Sequence, residues 1–358
     1  MTLPPIEGPP YYQLPSSPPP PPRRSYRGLA IGLSVGAAAL VIVLVVIAAL
    51  AYVNRQYISD QFAVWNYTST PTIDEYAARS TMTDHGVFLF KASRPKVTAS
   101  AAFNDTCGTH EEGAGILGCY LPSSRSILLF DVTDARLDGI EEVVASHEML
   151  HAAWDRMSSS ERSDLARLLE VEATRLEKDS AFSDRMDFYA KAEPGERANE
   201  LHSIIGTEVS GISPALESHY AEYFSDREAL VALHVQSDAV FVANEKQAKK
   251  LSSQMEALRK RVDRDDSDYR KGYKKLSSDI DSFNTRATNG SFTTQAQFNS
   301  ERGALLDRQD SLDSLWERIQ TRIDRYNDKR DQLKELNAEA DELNESINIT
   351  PYSETPVG

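Results

Sequence analysis

A seven-residue apolar repeat commits the C-terminal part of this chain to long helices. Leu305, Leu312, Ile319, Tyr326, Leu333, Ala340 and Ile347 recur without a break, and Leu315, Leu336 and Leu343 fill matching d positions. Upstream, Met255, Val262, Tyr269, Leu276 and Phe283 keep the same period, with Leu251 and Leu258 at d. Heptads sustained in a charged background read as coiled coil. Thr288-Asn289-Gly290-Ser291 separates the two runs and is a turn signal. Residues 238–348 are therefore expected to form an antiparallel helical hairpin. Asp265, Gly272 and Asp279 fall at d positions of the first run and are expected to weaken its seam. The hairpin offers a surface for a coiled-coil partner or a homo-oligomer.

A second constraint lies near the N-terminus. Residues 28–53 carry no charge and are mostly Ala, Val, Leu and Ile, long enough to cross a hydrocarbon core. Arg23, Arg24 and Arg27 precede this run and only Arg55 follows closely. The positive-inside rule then expects a single-pass membrane protein with a cytoplasmic N-terminus and everything beyond Val53 outside the cytoplasm. A cleaved signal peptide would be shorter and nearer the start. Residues 1–27 are proline-rich, with an unbroken run from Pro18 to Pro22, and are expected to be disordered or polyproline II. Residues 349–358 are also expected to be disordered.

Between tail and hairpin, residues 54–237 are long enough for a folded domain of their own. The formal net charge of −15 argues against nucleic acid as a partner, since phosphate binding needs a basic surface. Cys107 and Cys119 lie close together among glycines and suggest a disulfide closing a small loop outside the reducing cytoplasm. His110, Glu111 and Glu112, inside that loop, read as an exposed acidic turn.

The chemistry centres on His147-Glu148-Met149-Leu150-His151. On a helix, positions i and i+4 share a face, so both imidazoles reach one metal ion and Glu148 reaches a water beside it. Asp138 and Glu141 read as a capping box that opens this helix. Ile140, Val144, His147, His151 and Trp154 recur at helical spacing, which puts both histidines on an apolar, core-facing stripe. Val87–Lys91 and Ser126–Val132 read as strands, with Tyr120-Leu121 pairing onto the second across Pro122-Ser123-Ser124. Ser158 and Glu161 form another capping box. Pro194 suits the first position of a further helix, which Gly206 would close.

The HExxH helix with its small and apolar flanks resembles the signature of zincin metallopeptidases. Asn199-Glu200-Leu201-His202-Ser203 is similar to the NExxS segment of the gluzincins among them. That resemblance implies an α+β fold: a mainly helical zincin-like domain over residues 54–237 with a small antiparallel sheet. In the zincin plan an edge strand before the HExxH helix holds extended substrate. The resemblance also implies Zn2+ held by His147, His151 and Glu200, with Glu148 as general base. Peptide or protein is the implied substrate.

Where the gluzincin pattern continues with an aspartate that orients a ligand histidine, this chain has Ile204; Glu208 and Glu196 are candidates for that task. His202, Glu208 and Asp226 compete as third ligand, and the metzincin position for a third histidine is Met157 here. An oxyanion stabiliser is expected from His219 or Tyr223, which share a helical face while Tyr220 points elsewhere. Asp226 and Arg227 are expected to form an ion pair near the cleft. The alternatives to a peptidase are an inactive zincin-like binding domain and an envelope scaffold acting through its coiled coil.

Overall fold

The computed structural model describes residues 27–107, 117–178, 182–183, 186–187 and 195–347, with Gly8 and Ser17, and side chains from Leu40 onward within the first helix. The Pro-rich tail, the acidic loop around His110, the helix start at Pro194 and residues 349–358 lie outside them. The chain divides into two compact units, Met1–Ile58 and Ser59–Gly358.

In the first unit, helix α1 (Arg27–Val53) covers the expected span. Among the described residues no single helix is long and apolar enough to cross a membrane. The pair Leu40–Val53 and Arg55–Asn66, bent by 72°, meets that requirement together by length and composition. Helix α2 (Arg55–Asn66) begins in the first unit and continues into the second.

The second unit is mainly helical around one small sheet. Helix α3 (Pro71–Arg79) starts on Thr70, whose hydroxyl accepts from the Ile73 amide, with Pro71 in the first turn. Helix α4 (Asp84–Ala92) contains the residues expected as a first strand. That expectation is overturned: Thr83 caps the segment by accepting from the Gly86 amide at 3.1 Å, and Leu89 and Phe90 bury on one side. A short apolar run carries no period of its own, and the cap decides.

Strand β1 (Lys96–Thr98), helix α5 (Ser100–Cys107), β2 (Gly118–Leu121) and β3 (Ser126–Phe130) follow. The sheet order is β1-β3-β2. β2 pairs antiparallel with β3, Tyr120 opposite Ile127, whereas β1 runs parallel to β3. The sheet is thus mixed rather than antiparallel, because the chain crosses by way of α5 before β3 is laid down beside β1. The strand preceding the HExxH helix is the central one, and β1 and β2 are the two edges. Cys107 and Cys119 form a disulfide that ties the end of α5 to β2.

Helix α6 (Ile140–Arg156) runs through the core and carries the HExxH residues. Val143, Ala145, Met149, Leu150, Ala152 and Ala153 are buried. Helix α8 (Arg197–Glu208) packs on it, α7 (Ser159–Leu176) packs on α8, and α9 (Pro214–Tyr220) packs on α7. The Ser158–Glu161 capping box is present, with both reciprocal bonds. Gly206 does not close α8 but lies inside it. A Cβ there would sit 2.5 Å from Leu150 Cδ1 and 2.7 Å from the Tyr220 ring, so glycine lets α6, α8 and α9 approach.

Helices α10 (Arg227–Thr288) and α11 (Gln295–Ser346) leave this core as an antiparallel pair. Asp265 pairs with Arg322, Asp279 with Arg308 at 2.6 Å, and Arg286 with Glu301, positions rising on one helix as they fall on the other. The three d positions expected to weaken the seam are each matched across it. Both aspartates meet arginines, and Gly272 leaves room for Leu312, whose Cδ2 would be 2.7 Å from a Cβ there. At the base, Leu343 and Ile347 pack with Leu137, Ile140, Val240 and Phe241.

Candidate metal centre

The α6 backbone starts at Gly139, whose φ of +97° is left-handed and suits glycine. The expected Asp138–Glu141 capping box does not form. The Asp138 carboxylate takes Arg79 at 3.0 Å and the Gln236 amide at 3.1 Å, while Glu141 accepts from the Val132 amide at 3.2 Å. Both side chains serve contacts between elements, leaving none for the cap. Burial raises the Glu141 pKa, opposed by its bonds from Tyr76 and Val132.

Two turns along, His147 and His151 stand one above the other with ring centroids 4.7 Å apart. Their stripe is the less buried face of α6. Ile140, Val144, His147 and His151 are half-buried, whereas Glu148, Met149 and Leu150 between them are covered. Trp154, the last member of the stripe, is buried, and Val144 and Ile140 pack against core clusters, so the expected stripe faces the core with the His147 and His151 side chains 12% and 11% exposed.

Glu200, only 1% exposed, comes from α8 to meet them. Its Oε1 is 3.4 Å from His151 Nε2 and its Oε2 is 3.7 Å from His147 Nε2. One ligand atom from each residue lies within 4.8 Å of the others, so this triad can hold a metal ion. Ligand atoms about 2.1 Å from a tetrahedral ion lie about 3.4 Å apart, which the glutamate–histidine spacings approach.

The donor set is also oriented. His151 Nδ1 is 2.9 Å from Asn199 Oδ1 and 3.3 Å from Ser203 Oγ. Donation from Nδ1 to Asn199 leaves the lone pair on Nε2, the atom facing Glu200. Asn199 in turn donates to Glu196 at 3.2 Å. The task sought for Glu208 or Glu196 thus falls to Asn199 and Ser203, with Glu196 one step behind and Glu208 beside His234 at 3.9 Å. The sequence signal was present: Asn199 and Ser203 are i and i+4 on the helix that delivers Glu200. Ile204 is buried in the core.

Glu148 lies on the side of β2. A Cβ at Gly118 would be 2.8 Å from Glu148 Oε1 and 2.6 Å from Val144 Cγ1, so the edge strand lies flush against the HExxH helix. Nothing in the sequence pattern singled out Gly118 from its neighbouring glycines.

His202 is fully buried and separate from the triad, which removes it as a competing ligand. Its Nε2 is 3.0 Å from His219 Nε2, and its carbonyl accepts from the Tyr220 hydroxyl at 2.8 Å. One of the two facing nitrogens donates and the other accepts, so both rings are not charged together. Burial, then the nearby His219, His151 and His147, pushes the His202 pKa well below the usual range. Burial lowers that of His219 to about 4. Tyr223 is 4% exposed, with its ring 5.4 Å from His219 and 5.7 Å from His85, and burial raises its pKa.

The expected Asp226–Arg227 pair is absent. Asp226 caps α10 by accepting from the Ala229 amide, and the buried Arg227 pairs with Glu217 at 2.5 Å and Glu228 at 2.9 Å. Asp226 is thereby engaged elsewhere than the triad. Compared with known proteins, the chain matches no family model, no curated protein and no solved structure.

Proposed function

We propose that the chain is a membrane-anchored zinc peptidase of gluzincin type, acting on peptide bonds outside the cytoplasm. The observation that carries this reading is the convergence of His147, His151 and Glu200, with Asn199 orienting His151 and Glu148 held beside an edge strand. Zinc is the proposed ion because two imidazoles and one carboxylate form the usual catalytic donor set, and when bound it activates water near neutral pH and polarises a carbonyl.

The protein supplies the rest. Extended substrate lies along β2, where main-chain pairing gives affinity with little sequence selectivity. Glu148 takes a proton from the attacking water and returns it to the leaving amine. His219 or Tyr223 donates to the oxyanion. If His219 does so while neutral, its hydrogen is on Nδ1, because Nε2 is then the acceptor from His202. Residues 28–53 form the anchor, and α10 with α11 form a coiled coil.

The test uses the full chain in detergent, loaded with zinc and assayed on unstructured protein. Wild type and Glu148→Gln are expected to bind stoichiometric zinc, with proteolysis about 10²- to 10⁴-fold lower in the variant. Glu200→Ala is expected to weaken zinc binding. Absence of zinc binding in wild type after reconstitution sinks the peptidase reading. Zinc binding without proteolysis supports a binding domain instead.

A further inference from the structure

Helix α2 is amphipathic in the reverse of the usual sense. Its one buried side chain is a carboxylate: Asp60, 4% exposed, takes Arg156 of α6 through two bonds of 3.0 and 2.8 Å. Its large apolar side chains are outside. Trp65 is 70% exposed, Phe62 54% and Ile58 37%. They stand at i, i+4 and i+7 and so form one stripe. The Phe62 and Trp65 rings meet edge to face, 5.4 Å between centroids. Arg55 lies on the same stripe one turn before Ile58, with its guanidinium 4.6 Å from the Tyr52 ring.

We infer that this stripe is a lipid-contact surface, seated at the headgroup–acyl boundary of a phospholipid bilayer. Three observations select lipid as the occupant. Only Asn54 separates α2 from α1, whose described side chains from Leu40 to Val53 are all exposed and almost all apolar, so α2 begins where the proposed anchor would leave hydrocarbon. Tryptophan beside other apolar side chains is the composition of an interfacial helix. Arg55 holds a cation suited to a lipid phosphate against the Tyr52 ring, where α1 gives way to α2. The net charge of −15 favours zwitterionic over anionic headgroups. The inference rests on the membrane-anchor reading. The Asp60–Arg156 pair then links the lipid-facing helix to the last turn of the HExxH helix.

The full chain is reconstituted into phosphatidylcholine vesicles carrying bromine either just below the headgroup or at mid-chain. Trp65, Trp154 and Trp316 are the only tryptophans, and Trp154 is buried. Tryptophan emission is expected to be quenched more by the shallow bromine, and Trp65→Phe is expected to abolish most of that quenching while the protein still floats with vesicles. Flotation with equal quenching in wild type and Trp65→Phe overturns the lipid-contact surface and leaves the anchor standing. Concentration-dependent shielding of Trp65 without bromine quenching assigns the stripe to a second copy and overturns it likewise. Failure to float sinks the anchor and the inference together.

Discussion

Gly118 and Glu148 show how closely the proposed base is fitted. A methyl group on Gly118 would meet the Glu148 carboxylate at 2.8 Å, so Gly118→Ala must move that side chain or the strand. On the proposed peptidase reading, Gly118→Ala is expected to bind zinc as wild type does but lose about a hundredfold in kcat, as small misplacements of reacting groups do. Peptide hydrolysis measured beside metal content checks this, and an unchanged kcat would show that β2 does not set the base. His219 makes a second prediction. Its folded pKa of about 4 lies below the unfolded value of about 6.5, so the unfolded chain binds the proton first. The resulting stability is complete above about pH 6.5 and is lost as pH falls towards 4. Melting in chelator from pH 7.5 to 4.5 is expected to drop less steeply for His219→Gln than for wild type; parallel curves would rule this out. At this scale the histidine pair was legible, because i and i+4 spacing on a helix is a local fact, whereas Glu200 came only from the resemblance of its segment to the gluzincin pattern. The partners of His151 and the packing of Gly118 were not, because they depend on how α6, α8 and β2 meet.

Elements were legible where local chemistry had no competitor. Ser158 and Glu161 form their capping box on an exposed turn, while Asp138 and Glu141, with the same spacing, are drawn off by Arg79, Gln236 and Val132. Residues 87–91 have strand composition and fold as helix, since Thr83 and Asp84 open a helix just ahead of them. β1 is three residues long, too short for alternation to show. Asp265 and Asp279 looked like defects when α10 was read alone, and they are register marks once Arg322 and Arg308 face them.

The second unit is closed by its own far end. Leu343, fully buried, returns to the turn at Leu137 after both long helices have been traversed. Leu343→Ala is expected to cost about 2–5 kcal/mol. We expect urea unfolding of the domain around α6, followed by near-ultraviolet signal, to shift to lower denaturant. A loss confined to helical signal, with the domain transition unmoved, would show that the hairpin end merely rests there. Both feet of the hairpin therefore stand on one footing, and its tip at Asn289-Gly290 makes no demand on the site. Removing seven residues from each helix would bring the same charge partners face to face again about 10 Å nearer the domain. With the proposed coiled-coil packing, the hairpin is a mast of adjustable height, shortened or extended in whole heptads, with the His147, His151 and Glu200 cluster at its foot unaltered.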